Sequence, residues 1–209
     1  YVDLGLFGIR NHNLPEKLKR KSKKHRLRIN KKKLGRSIEE RPGEIESREE
    51  FGHWECDLVL GAKTRDDQVL LTLAERKSRE FLMLPIANKT SACVMKAIKQ
   101  LQETYSEHFG EVFKTITTDN GSEFADLSEL EKMADTLVYY AHPYTSCDKG
   151  TVERHNGLIR RFIPKGKRID DFTGQQISDV ETWCNCLPRK VLGYRTPDEI
   201  FEEEIDRIY

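Results

Sequence analysis

The pattern of apolar residues predicts an α/β fold, with a mixed β-sheet covered by helices on both faces. Two features carry that expectation. Three strand-like runs follow one another with only short polar breaks, and later strand-like runs alternate with helical ones. The resulting order is βββ-α-β-α-β-α-α-α. No internal repeat points to a solenoid or propeller instead.

The first strand is expected over His53–Gly61. Trp54, Cys56, Leu58 and Leu60 fall on one face there, and His53, Glu55, Asp57 and Val59 on the other. Gln68–Arg76 and Phe81–Ala87 are apolar and partly β-branched, and complete an antiparallel meander. Thr90–Ser106 turns helical: Val94, Ile98, Leu101 and Tyr105 recur at helical spacing, with Ser91 a candidate N-cap. Val112–Thr118 reads as the fourth strand, and Ser128 with Glu131 forms a capping-box pattern that opens a short helix to about Asp135. Leu137–Ala141 is the fifth strand. A helix from about Asp148 to Phe162 turns Val152, His155, Ile159 and Phe162 inward and ends before Pro164 and Gly166. Ile177, Val180, Cys184 and Leu187 mark another helix, and Thr196-Pro197 opens a last one through the preference for Pro at the first helical position.

Several function classes fall away on composition. No apolar run approaches the roughly 18 residues of a membrane span, and no secretory signal opens the chain. The first residue is Tyr1 and not Met, so a fragment or processed product is expected. The five cysteines are an odd number without a Cys-x-x-Cys pair, which argues against a disulfide scaffold or a zinc ribbon. A reducing cytoplasm is the expected location. The net charge of +1 conceals a strong asymmetry. Between Lys17 and Arg36 stand twelve Lys or Arg and no acid, so residues 1–50 carry +7 and the remainder −6. Such a block repels itself and does not fold alone. It reads as a solvated linker or as an arm that neutralises DNA phosphates, with Lys31, Lys32 and Lys33 inside it. Arg41-Pro42-Gly43 then punctuates the chain, and a boundary is expected near residue 50.

Three acids stand where a solubilising residue is not expected. Asp57 lies mid-strand among Trp54, Cys56, Leu58, Val59 and Leu60, although Asp is disfavoured in strands. Asp119 follows the fourth strand immediately, at a strand end where mixed sheets place their sites, although Asp119-Asn120-Gly121 also suits a simple turn. Glu153 shares a helical face with Asn156 and Arg160, and its helix and exit also carry Lys149, Arg154, Arg161 and Lys165. A carboxylate on a basic helical face suits a metal ligand beside a DNA backbone, and equally an ordinary surface ion pair. Metal-dependent phosphoryl transfer requires two or three converging carboxylates. All-oxygen ligands suit Mg²⁺ or Mn²⁺.

The segments His53-Trp54-Glu55-Cys56-Asp57, Thr118-Asp119-Asn120-Gly121-Ser122-Glu123-Phe124 and Gly150-Thr151-Val152-Glu153-Arg154-His155-Asn156-Gly157 resemble the three acidic motifs of D-D-E transposases. The likeness is to the integrase-core branch of bacterial insertion sequences, and within it to the insertion-sequence-thirty group. The thirty-three residues between Asp119 and Glu153 equal that group's separation, and Arg160 matches its basic residue seven beyond the Glu. Ser37–Pro42 and Pro188–Pro197 resemble its flanking segments, while Asn185–Lys190 departs from its usual Asn-Asn-Arg-Pro-Arg-Lys run. No counterpart of the group's N-terminal helix-turn-helix is found.

The resemblance implies a ribonuclease-H-like, retroviral-integrase-type core with a mixed five-stranded sheet. The expected organisation is a basic DNA-binding arm over 1–50, a catalytic core over 51–165 and a helical extension over 166–209. It implies that Asp57, Asp119 and Glu153 bind two Mg²⁺ (or Mn²⁺) ions. It further implies DNA contacts by Lys149, Arg154, Asn156, Arg160, Arg161 and Lys165, and by the arm lysines. The implied reaction is cleavage of double-stranded DNA at element ends and strand transfer into target DNA, by a homodimer or larger assembly in the bacterial cytoplasm, at the nucleoid. Two rivals keep the same residues: a nuclease of the same fold that never joins strands, and a DNA-binding module with an idle core.

Overall fold

A computed structural model describes residues 34–62, 64, 66–142 and 146–209, all within one compact unit, Lys32–Tyr209. The strands are β1 (Arg36–Ser37), β2 (His53–Leu60), β3 (Val69–Glu75), β4 (Phe81–Ile86), β5 (Thr115–Thr118) and β6 (Leu137–Tyr140). The longer helices are α1 (Ser91–Tyr105), α2 (Gly150–Ile159), α3 (Gly174–Asn185) and α4 (Pro197–Ile205). The sheet runs β1-β6-β5-β2-β3-β4. β2, β3 and β4 form the expected antiparallel meander, whereas β5 joins β2 in parallel and β6 and β1 extend the parallel half. The sheet therefore has six strands where five were expected, because two residues from the end of the basic segment pair with Tyr139 and Tyr140. The boundary anticipated near residue 50 lies inside this packed unit, where Ile45 is also buried.

Side-chain alternation on β2 splits the core. Trp54 and Cys56 enter one cluster with Leu71, Leu73, Ile116, Val138 and the α1 residues Val94, Ile98 and Leu101. Val59 enters the other, with Leu70, Ala74, Phe81, Val152, Ile159, Ile177, Val180 and Cys184 from beneath α2 and α3. Trp54 is fully buried, stacks on Phe113 at 4.7 Å and donates its indole N–H to the Val112 carbonyl at 2.7 Å. Truncation at such a site costs about 3–5 kcal/mol.

Three local expectations are revised. The fourth strand begins at Thr115, not Val112, because Phe109–Val112 close a helical turn that stacks Phe109 on Phe113 at 4.8 Å. Ser128 caps no helix: it lies within a 3₁₀ run, Ser122–Glu129, and Glu131 instead accepts from the Val138 amide and from Arg36. α2 ends at Ile159, so Phe162 swings out, 41% exposed against Trp183, and Ile163 takes the buried position. Caps support the other helices. Thr90, not Ser91, caps α1, and Thr173 and Thr196 form capping boxes with Gln176 and Glu199.

Candidate active site

Two of the three acids are brought together by strand register. β2 and β5 pair His53 with Thr115 and Glu55 with Thr117, and continuing that register sets Asp57 level with Asp119 on the same face. Asp119 also makes the turn that its sequence suggests, accepting from the Gly121 amide at 2.8 Å through Oδ1. Gly121 packs close against two acidic side chains there. A Cβ on it would lie 2.5 Å from Glu123 Cδ and 2.7 Å from Asp119 Oδ1. Asn120 anchors the turn by donating to the Ala141 carbonyl at 2.9 Å.

Lys149 lies between the two carboxylates. Its ammonium donates to Asp57 Oδ1 at 3.1 Å and to the Cys56 carbonyl at 3.3 Å, and stands 3.9 Å from Asp119 Oδ2. The residue is 6% exposed, so its amine faces the acids and not solvent. Burial disfavours the ammonium, but the charges of Asp57 and Asp119 and the hydrogen bond to Asp57 outweigh that penalty. The net shift of its pKa is upward. On the other side, Asn156 donates to Asp57 Oδ2 at 2.9 Å and accepts from Thr72 at 3.0 Å, which holds the Asp57 rotamer.

Glu153 stands on the exposed side of the first turn of α2. Its pKa is raised, chiefly by partial burial. Lys149 opposes the shift, while the nearby charges of Asp57 and Glu55 add to it. Glu153 thus shares the electrostatic neighbourhood of the pair without touching it. Among the described residues, no three His, Cys, Asp or Glu side chains group closely enough to hold a metal ion. The donor set nevertheless suits a hard divalent cation. It consists of carboxylate oxygens only, and the Asp57–Asp119 pair already converges on one positive charge.

The basic residues divide. Arg154, Arg161 and Lys165 are exposed, with the Arg161 guanidinium 5.9 Å from the Trp183 ring centroid. Arg160 instead donates to the Leu60 carbonyl at 2.9 Å, bracing the end of β2 against α2. Lys31, Lys32 and Lys33 lie outside the described residues. His155 is buried, stacks on Phe81 at 4.9 Å and has its pKa pushed down to about 4 by burial. His142 is exposed and bridges Asp148 and Glu39.

Comparison with known proteins places the chain among relatives. Residues 47–146 match the family described as "Integrase core domain". The chain carries an integrase core domain. It is 38% identical over 202 residues to the probable transposase for insertion-like sequence element IS1161 of Streptococcus salivarius, covering 97% of this chain and 56% of that protein. It is 35% identical over 171 residues to the transposase InsI for insertion sequence element IS30C of Escherichia coli (strain K12), covering 82% and 43%. The chain thus spans about half the length of these relatives. In structure it resembles the catalytic core domain of BIV integrase, with a TM-score of 0.55, 21% identity, and 75% of this chain and 97% of that one covered. The fold is ribonuclease-H-like.

One buried acid of this integrase core, Glu55, escaped the sequence reading, whereas Glu123 stands in the second motif and reads there as local to the turn. Glu55 is fully buried and bonded to the start of α2, and Glu123 is buried beside Asp119 and paired with Lys89 at 2.8 Å. The signal that singled out Asp57, an acid within an apolar strand, applied equally to Glu55 two residues earlier.

Proposed function

We propose that the chain is the catalytic part of a D-D-E transposase, which cuts double-stranded DNA at the ends of an insertion sequence and joins the freed 3′ end to target DNA. The observation that carries this reading is the convergence of Asp57 and Asp119 on one buried cation, next to the helix that presents Glu153. The named relatives, transposases of insertion sequences, support the choice of reaction over plain hydrolysis.

Asp57, Asp119 and Glu153 would hold two Mg²⁺ or Mn²⁺ ions. When bound, such a pair supplies a lowered pKa for the attacking water or hydroxyl and charge stabilisation at the leaving oxygen. The protein's own share is positioning. Asn156 holds Asp57 in one rotamer, Arg160 locks α2 to the end of β2, and the Asp119 turn fixes the second carboxylate. Lys149, enclosed by the acids, balances their charge before the ions enter and is not a phosphate contact. Arg154, Arg161 and Lys165 face outward and would meet DNA phosphates, along with Lys31, Lys32 and Lys33. Cutting two element ends together would call for a homodimer or larger assembly on DNA.

The test is incubation of the chain with pre-cleaved oligonucleotide ends and target DNA, in Mg²⁺ or Ca²⁺. Joined products are expected in Mg²⁺ alone, and Asp119→Asn should lower their yield at least a hundredfold while leaving the melting temperature nearly unchanged. Fragments without joined product would make the chain a nuclease, and an active Asp119→Asn variant would remove the carboxylate assignment.

A further inference from the structure

The helix that carries Glu153 lacks a cap of its own. Its N-cap residue is Lys149, whose side chain makes no capping hydrogen bond. The second and third amides of α2, Thr151 and Val152, would ordinarily bond to such a side chain. Both donate instead to a single oxygen of Glu55, at 2.7 and 2.9 Å. Glu55 lies on β2, fully buried, two residues before Asp57 and on the same face. Its other oxygen accepts from Arg76 at 3.3 Å, and Arg76 reaches Glu46 at 3.0 Å.

A buried carboxylate without donors would lose its charge. Here two amides at a positive helix end and a buried guanidinium keep it satisfied. Any displacement of α2 along the sheet would break both amide bonds and strand the charge. The geometry points to Glu55 as a positioning residue. We infer that it clamps the start of α2 to the strand bearing Asp57, and so sets the distance from Glu153 to the Asp57–Asp119 pair. The clamp itself stands on these contacts; its consequence for metal rests on the carboxylate reading proposed above.

Two double variants isolate the amide acceptor. Glu55→Gln with Arg76→Met removes both charges and keeps a carbonyl oxygen for the amides, whereas Glu55→Met with Arg76→Met keeps the shape and has no acceptor. In the chain without metal, hydrogen exchange at Thr151 and Val152 should be about tenfold or more faster in the second pair, with β3 and α1 unchanged. The first pair should stay near wild type. Mn²⁺ titration should show affinity about tenfold weaker in the second pair only. Uniformly faster exchange, unchanged exchange at the two amides, or equal Mn²⁺ affinity in both pairs would overturn the inference. If the second pair does not fold, wild type and the first pair decide: slowed exchange at Thr151 and Val152 in both supports the clamp, because these amides have no acceptor within α2, and unprotected amides in either refute it. Glu153→Gln separates the two readings. If it leaves Mn²⁺ affinity intact, the carboxylate assignment fails, while the exchange data still judge the clamp.

Discussion

Asp57 and Asp119 face a single buried ammonium, so removal of that ammonium leaves two carboxylates repelling each other. Lys149→Met should therefore lower the melting temperature of the metal-free chain. Added Mn²⁺ should then raise it by more than it raises wild type, because the ion replaces a charge that wild type already has. Thermal unfolding with and without Mn²⁺ measures this, and an equal or smaller metal-induced gain in the variant would show that Lys149 does not balance the pair. Gly121 imposes a steric demand at the same place. Ala there would press on both Glu123 and Asp119, so Gly121→Ala should reduce joining at least tenfold, read in the oligonucleotide assay. Gly121 was read from sequence only as part of a turn, because what it must avoid comes from side chains folded back onto it.

The contact between β4 and α3 places an acid in an unfavourable environment. Glu181, on α3, accepts from the Met83 amide of β4, and burial raises its pKa to about 7 despite that bond. A folded value above the unfolded one means that the native state retains a proton the unfolded chain has lost. The associated stability is complete below the ordinary Glu range near 4.5 and disappears as pH rises through about 7. Glu181→Gln keeps an acceptor and carries no charge. It should match wild type near about pH 5 and melt a few degrees higher near about pH 8, since each kcal/mol shifts the midpoint by about 2–4 °C in a chain of this size. Buried His155 loses its contribution as pH falls from the ordinary His range towards about 4, but it does so in both proteins and cancels in the difference. A constant difference across the pH range would remove Glu181 as its cause. Most elements were legible beforehand because their caps and apolar stripes are local, as with Val94, Ile98 and Leu101 on α1. Those misread, at Val112, Ser128 and Phe162, have core packing or sheet pairing overriding a local pattern.

For the entire chain, the proposed DNA binding is polarised: twelve bases stand between Lys17 and Arg36, and the sequence beyond them is net acidic. Affinity for duplex DNA should fall steeply with salt, and replacing Lys31, Lys32 and Lys33 by Gln should reduce the log–log slope by up to about 3. A slope unchanged by that substitution, measured by fluorescence anisotropy, would exclude these lysines from phosphate contact. Within the described unit, Arg36–Ser37 pair with β6 and the Leu34 amide reaches Asn120 of the Asp119 turn.

The amino-acid sequence alone determined the order of the elements and the antiparallel meander, and singled out the three candidate acids, since each depends on spacing and on residues out of character with their neighbours. The register that aligns Asp57 with Asp119, the placing of Lys149 between them and the clasp of Glu55 on α2 were decided only by the folded chain. Those contacts join residues about thirty to a hundred positions apart, and no local preference encodes which distant amide or ammonium a carboxylate will meet.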